Sequence, residues 1–324
     1  MSNVTDATDP GAFPYRAGVL AHREHTSSIY ALASLPGTHE VISSGGDGLV
    51  LAWDTSRPGE VRAIARIPNA VYALYAHPSG DLLITGTSNG ELHVIDLNAK
   101  QERQRIKAHD KGIFHITALN DHRLACAGGD GTLSVWRLVA DLHGDVPHLV
   151  LERSIPLSDA KLRSMDAAPG GGSLAVACGD GSIRVLDTEL FNDAANFHAH
   201  DEGVTAVAHH PGKPVLMSGG KDGFIRVWHT GEDHRLILEF AAHRSAIYQI
   251  AVDEKQRFIA TAGRDKMVKL WDGSTFEPRQ RSDHHVGGHS HSVNALIWSG
   301  NDLYSGGDDR RLVRWTPVDA PESQ

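Results

Sequence analysis

The stretch SGGDGLVLAWD (residues 44–54) sets the pattern of the whole chain, which repeats it in six further segments. Each copy has a short apolar strand pattern, a turn rich in Gly and Asp, and a second strand pattern that ends in Trp or an apolar substitute. The further copies are TGTSNGELHVID (85–96), AGGDGTLSVWR (127–137), CGDGSIRVLD (178–187), SGGKDGFIRVWH (218–229), AGRDKMVKLWD (262–272) and SGGDDRRLVRWT (305–316).

The spacing of these copies predicts their architecture. In every copy an acidic or amide turn residue lies six positions before the Trp or its substitute. Successive turn residues are 42, 41, 50, 42, 43 and 44 positions apart, a period typical of one four-stranded propeller blade. Segments such as IYALASL and IRVW show the period-two alternation of strands, so we expect an all-β chain. The seven turn residues are Asp47, Asn89, Asp130, Asp180, Asp222, Asp265 and Asp309.

These seven matches resemble the WD-repeat family, over roughly residues 15–317. The resemblance implies a seven-bladed β-propeller of four-stranded antiparallel blades, forming one domain over residues 15–318. Since nothing after LVRWTPV (312–318) can supply a fourth strand, we expect YRAGVLA (15–21) to complete the last blade and close the ring. Residues 1–14 and 319–324 are expected to be disordered tails. The long fourth spacing predicts an inserted loop or hairpin near residues 140–148.

The resemblance also implies a buried hydrogen-bond network within most blades. The turn Asp accepts from a His that lies 20 to 22 positions earlier, and this His bonds a Ser or Thr of the second strand that reaches the Trp indole. The residues that match are His25, Asp47 and Trp53; His109, Asp130 and Trp136; His200, Asp222 and Trp228; His243, Asp265 and Trp271; and His289, Asp309 and Trp315. Their repetition around the ring indicates a structural role rather than catalytic triads.

Blades two and four lack this His. Asn89 and Ile95 stand in blade two, and Asp180 and Leu186 in blade four, with no His at the expected distance. We therefore expect these two blades to be softer or held by packing alone.

The sharpest functional signal is a set of aromatic residues at the start of the inner strands. In the propeller fold, the position after the first apolar residue of each inner strand faces the central mouth of the narrow face. Four of these seven positions are aromatic, whereas aromatic residues form 6% of the chain. Such rings suit the anchoring of a peptide or a basic side chain; the alternative is that they plug the channel. The seven residues are Tyr30, Tyr72, Phe114, Arg163, Thr205, Tyr248 and Asn294, and the turn residues Lys221, Arg264 and Asp308 are expected to add polar rim contacts.

Composition narrows the partner classes. The formal net charge of −9 argues against binding a nucleic-acid backbone or an anionic membrane. No 18-residue apolar run and no signal-peptide pattern occur, so we predict a cytoplasmic protein. Cys126 and Cys178 lie in apolar strand patterns and are interpreted as small buried hydrophobic residues. No cofactor is predicted.

Two functions follow. The first is a non-enzymatic scaffold or adaptor, a monomeric propeller within a larger complex that binds one or more proteins through its narrow face. The alternative is a ligand- or metal-binding propeller, enzymatic or not, that uses the central channel or a histidine cluster. This cluster comprises His284, His285, His289 and His291, with His22 and His25 nearby after ring closure. In a chain with 21 histidines, composition alone accounts for it, and no metal site is predicted.

Overall fold

The repeat folds into seven four-stranded antiparallel sheets, seen in a computed structural model that describes residues 15–21, 24–139, 147–231, 233–282 and 284–318. The first strand, β1 (Tyr15–Ala21), belongs to blade seven. Blade one comprises β2 (Ile29–Ser34), β3 (Glu40–Gly45), β4 (Leu49–Asp54) and β5 (Val61–Arg66); blade two comprises β6 (Val71–Ala76), β7 (Leu82–Thr87), β8 (Glu91–Asp96) and β9 (Gln101–Lys107).

Blades three to seven continue in the same order. Blade three comprises β10 (Ile113–Asn120), β11 (Arg123–Gly128), β12 (Thr132–Val139) and β13 (His148–Pro156), and blade four comprises β14 (Leu162–Ala167), β15 (Ser173–Cys178), β16 (Ser182–Asp187) and β17 (Asp193–His198). Blade five comprises β18 (Val204–His209), β19 (Val215–Gly220), β20 (Phe224–His229) and β21 (Leu236–Ala241), and blade six comprises β22 (Ile247–Val252), β23 (Phe258–Gly263), β24 (Val268–Asp272) and β25 (Pro278–Ser282). A 3-10 turn (His284–Val286) leads to blade seven, with β26 (Val293–Ser299), β27 (Asp302–Gly307) and β28 (Leu312–Pro317).

The ring closes through its first strand, as the sequence predicts. β1 pairs antiparallel with β28, with Tyr15 opposite Pro317 and Val19 opposite Val313. The Tyr15 ring is buried and meets Trp298 edge-on at 5.8 Å between ring centroids. The side chain of Gln280 accepts the N–H of Tyr15 and donates to its carbonyl oxygen, each at 3.1 Å. The seven-bladed, N-terminally closed propeller is therefore confirmed.

The hydrophobic core lies between neighbouring blades rather than within them. Each inner strand packs against the inner strands on both sides, and β26 contacts β2 to complete the circle. Close approach depends on a glycine in the second strand: a Cβ on Gly306 would lie 2.5 Å from Cγ2 of Ile29 in the next blade. Gly86 faces Ile113 in the same way, at 2.7 Å. Any side chain here would push adjacent blades apart.

Several predicted features fall outside the described residues. These are both expected tails (1–14 and 319–324) and residues 140–146 of the predicted insertion. The strands on either side of that insertion are long, and they remain paired up to Val139 opposite His148. Among the described residues, no helix is long and apolar enough to cross a membrane.

The closing strand yields a stability prediction. Tyr15→Ala should lower the free energy of unfolding by about 3 kcal/mol, since it removes a buried ring and leaves a cavity against Trp298. Urea unfolding followed by circular dichroism measures this loss. Arg16→Ala, on the exposed side of the same strand, is the control and should stay within about 0.5 kcal/mol of wild type. Equal stability of the two variants would contradict the closing role of β1.

Candidate functional site

The turn below the narrow face is built by a buried relay of hydrogen bonds, seen most simply in blade one. The indole N–H of Trp53 donates to Ser43 Oγ at 2.7 Å, and Ser43 Oγ lies 2.8 Å from His25 Nε2. His25 Nδ1 lies 3.1 Å from Asp47, which also accepts the backbone N–H of Thr26 at 2.7 Å. Every donor is satisfied if the Ser43 hydroxyl donates to a neutral ring that carries its proton on Nδ1.

Burial governs protonation in this relay. Desolvation lowers the pKa of His25, which agrees with a neutral ring. For Asp47, burial works to raise the pKa, but backbone N–H donors and the neighbouring His25 outweigh it, so the net pKa is lowered. The carboxylate thus stays charged and fixes the turn.

The same relay recurs in blades five, six and seven. His–Asp distances there are 3.0, 2.8 and 2.8 Å, and His–hydroxyl distances are 2.9, 2.8 and 2.8 Å. Each hydroxyl also accepts the indole N–H of its blade, at 2.8 to 2.9 Å. The residues brought together are His200, Asp222, Ser218 and Trp228; His243, Asp265, Thr261 and Trp271; and His289, Asp309, Ser305 and Trp315.

Blade three lacks the hydroxyl that is expected on its second strand. The position of Ser43 is taken there by Cys126, whose sulfur is a weak hydrogen-bonding group. Its cross-strand partner Ser134, on the third strand, supplies the hydroxyl instead, 2.8 Å from His109 Nε2 and 2.7 Å from the Trp136 indole nitrogen. His109 Nδ1 still meets Asp130 at 3.1 Å. Burial raises the pKa of Cys126 to about 12, so the thiol remains protonated.

Blades two and four differ from each other, and blade four is not held by packing alone; whether the two blades are softer stays a prediction. In blade four Ser158 occupies the His position and donates to Asp180 at 2.6 Å, while the Ser182 N–H donates at 2.9 Å. In blade two the corresponding residue is buried Ile67. The Thr85 hydroxyl, at the second-strand position, is buried there without a hydrogen-bond partner in the described structure.

All seven predicted mouth positions line one cavity of about 410 Å³, called here the mouth cavity. Tyr30 meets Tyr72 edge-on at 5.1 Å between ring centroids, and Tyr72 stacks on Phe114 at 5.5 Å. The guanidinium carbon of Arg163 lies 4.6 Å from the Phe114 ring centroid. Blades one to four therefore present a continuous arc of three rings and one cation.

The other three mouth positions form a more polar arc. Thr205 donates to Gly219 O at 2.9 Å. Asn294 donates to Ile29 O at 3.0 Å and to the Asp308 carboxylate at 2.7 Å. Tyr248, in blade six, lies between Thr205 of blade five and Asn294 of blade seven. The mouth is thus two-sided, with three rings and one cation in blades one to four and the hydrogen-bonded Thr205 and Asn294 in blades five and seven.

A β-bulge in every blade creates the mouth. The register between the inner and second strands shifts at each mouth residue, for example between Ile29 and Ala31 and between Ile113 and His115. A bulged residue leaves the ladder and changes the direction of its side chain. The residue after it can then also face the channel, so strict alternation is lost. The seven shifts occur in the pairs β2–β3, β6–β7, β10–β11, β14–β15, β18–β19, β22–β23 and β26–β27.

The bulges bring in residues that sequence reasoning did not assign to the site. His115, Ser164 and Gln249 follow the mouth residues of their strands and also line the cavity. In the sequence, these three residues could have been found because each is a polar residue directly after a mouth position. Of the predicted rim residues, Asp308 lines the cavity, whereas Lys221 and Arg264 are exposed and do not.

The histidine cluster does not form a metal-binding arrangement in the described residues. No group of three or more His, Cys, Asp or Glu side chains lies close enough there to hold an ion. The rings of His284 and His285 lie with their centroids 3.8 Å apart and their planes tilted by 39°, and His291 contacts the Ser290 hydroxyl. His289 is engaged in the relay with Asp309, and His22 lies outside the described residues.

Comparisons with known proteins agree with this geometry. The model of the family "WD domain, G-beta repeat" matches residues 18–54, 100–137, 192–229 and 234–272. These segments cover the first three strands of blades one, three, five and six, all of which contain the His relay. The propeller domain of Doa1 superposes with a TM-score of 0.79 at 15% identity, over 96% of this chain and 99% of that one.

Two curated relatives match this chain over different shares of their length. A WD repeat-containing protein 55 homolog from Dictyostelium discoideum is 24% identical over 60% of this chain, which spans 46% of that relative's length. The Ribosome biogenesis protein WDR12 homolog from Chlamydomonas reinhardtii is 27% identical over 92% of this chain and 77% of its own length. This chain thus spans about half of one relative and three quarters of the other.

The altered relay of blade three yields a prediction. Ser134→Ala should cost about 2 kcal/mol of unfolding free energy, because it leaves His109 Nε2 and the Trp136 indole without a partner. Adding Cys126→Ser should recover most of this loss, since it places a hydroxyl where blade one has Ser43. Urea unfolding of the two single variants and the double variant measures the coupling. A double variant no more stable than Ser134→Ala would contradict the proposed equivalence of the two positions.

Proposed function

Because this chain is a seven-bladed propeller of WD repeats, we propose that it is a non-enzymatic scaffold that binds a polypeptide partner through the mouth cavity of its narrow face. The observation that carries this proposal is the convergence of seven bulged residues on one cavity, where Tyr30, Tyr72 and Phe114 form a continuous aromatic arc. Aromatic side chains in a concave, partly exposed setting are the typical anchors of protein interfaces.

The size and chemistry of the cavity suit a few side chains of a partner. About 410 Å³ lies in the range of small ligand sites, which here corresponds to one or two inserted residues. Rings on one side of the cavity and polar groups on the other match a peptide, which carries both apolar side chains and hydrogen-bonding groups. Asp308 is the one carboxylate in the described lining, and it already accepts from Asn294. General acid–base chemistry with paired carboxylates has no support in that arrangement.

The relatives support a role in protein assembly without naming a partner. One is described as a ribosome biogenesis protein. A monomeric propeller within a larger complex fits that description. The cytoplasmic location and the exclusion of nucleic acids and membranes remain predictions from the sequence.

Affinity capture from the source cell tests the proposal. The variant Tyr30→Ala/Tyr72→Ala should retain its partner at least about tenfold less than wild type, because it removes two central anchors. The matched control Leu236→Ala/Ile237→Ala removes two exposed apolar side chains from β21 at the outer edge and should retain the partner fully. Circular dichroism and thermal unfolding verify that both variants fold.

The reverse pattern would overturn the proposal. If the folded mouth variant kept every partner while the β21 variant lost them, the outer edge and not the narrow face would be the interface.

A further inference from the structure

Arg163 stands in the mouth cavity without a counter-ion. It is half-buried, and within the described part of the chain it makes neither an ion pair nor a hydrogen bond, its contact being the face of the Phe114 ring. Burial lowers the pKa of Arg163, which means that desolvation penalises its charge. A guanidinium has five N–H donors, so this cation enters the cavity with its hydrogen-bonding capacity unused.

Three other partly buried arginines of the propeller form ion pairs. Arg123 donates to Glu152 at 2.8 Å, Arg184 to Asp193 at 2.5 Å, and Arg314 to Asp302 at 2.6 Å. Each pair joins two strands of one blade other than its inner strand. Arg163 differs from them by facing the axis of the ring with no acceptor.

The Arg163 side chain shares the mouth cavity with rings from distant blades. It lines the same cavity as Tyr72 and Tyr248. These tyrosines belong to blades two and six, on either side of blade four. Arg163 therefore faces the axis of the propeller, where residues of all seven blades meet.

Two further lining residues, His115 and Ser164, offer donors to a ligand, whereas the Asp308 carboxylate of the lining already accepts from Asn294. His115 Nδ1 accepts the Met165 N–H at 3.1 Å, so the neutral ring carries its proton on Nε2. Ser164 Oγ accepts the N–H of Val207 at 3.3 Å, which leaves its hydroxyl hydrogen available. A ligand that completes these contacts must therefore bring acceptor atoms.

The Phe114 ring, which could accept a cation from a partner, already contacts cations of the chain itself. Arg163 lies 4.6 Å and Lys161 Nζ 5.5 Å from the Phe114 ring centroid. A basic side chain from a partner would meet two like charges at that ring. The interpretation of the mouth as a receptor for a basic side chain is thereby weakened.

We propose that the mouth cavity receives an acidic side chain of the partner, which pairs with Arg163 while adjacent apolar atoms of the partner pack on Tyr30 and Tyr72. This rests on the proposed function and specifies its ligand as an anionic group on a polypeptide, either a carboxylate or a phosphorylated hydroxyl. An arginine fork binds both groups with charge-assisted hydrogen bonds. The net charge of −9 opposes approach at long range, but it is screened beyond roughly 8 Å at physiological salt.

The test uses four libraries of nine-residue peptides, randomised except for a central Glu, phosphoserine, Gln or Lys. Retention on immobilised full-length protein is measured for each library. The Glu library, the phosphoserine library or both should be retained at least about tenfold more than the Gln and Lys libraries, the range of a charged hydrogen bond. Preference for Glu or for phosphoserine identifies the carboxylate or the phosphate as the ligand.

Variants assign that preference to one side chain. Arg163→Met should abolish it without loss of thermal stability, since no partner in the described structure loses an ion pair, and Arg163→Lys should restore part of it. Arg137→Met is the control, because this arginine is exposed on β12. The inference would be overturned if neither the Glu nor the phosphoserine library were retained more than the Gln library, if the Lys library were preferred, if no library were retained, or if the acidic preference survived in Arg163→Met.

Failure of the inference and failure of the proposed function give different results. If natural partners are lost from Tyr30→Ala/Tyr72→Ala but the Lys library is preferred, the narrow face is the interface and only the acidic ligand is wrong. If natural partners are kept by that variant, the proposed function itself fails, whatever the libraries show.

Discussion

The packing of each inner strand against its neighbours is the constraint on which this structure depends. A ring closes only if every blade places the next at a compatible distance, and here Gly306 lets Ile29 approach across the joint where blade seven meets blade one. The pairing of β1 with β28 then covers the strand edge that the last blade would expose. Because the core lies between blades, blade two can fold without a His relay, provided that Ile67 and its neighbours stay packed.

The functional surface follows from the same repetition. The His relay holds the narrow end of five blades, and the bulge at the start of each inner strand aims a side chain at the axis. Seven equivalent bulges thus bring residues from distant parts of the chain around one cavity. The bulge is common to all seven blades, whereas the seven side chains are free to vary. The asymmetry of the mouth, with rings in blades one to three and the cation of blade four beside them, can therefore serve recognition.

The repeat made the fold and the mouth predictable from the sequence. The sequence spacings from Asp47 to Trp53 and from His25 to Asp47 recur along the chain. The blade count, the closing strand and the ring of mouth positions could therefore be inferred. Contacts between residues that come close only in the folded structure could not be inferred from the sequence. Ser134 replaces the hydroxyl absent at Cys126 because the two are cross-strand partners. His115 enters the cavity because a bulge breaks alternation, and Arg163 covers Phe114 because blades three and four are adjacent in space.

Site-specific photocrosslinking tests the central claim most directly, namely that the partner sits on the mouth cavity. The photoreactive residue p-benzoylphenylalanine replaces Tyr72 in one protein and Ile237 of the exposed outer edge in another. Irradiation in cells of the source organism should crosslink the partner to position 72 and not to position 237. A crosslink of the same partner at position 237 alone would contradict the account.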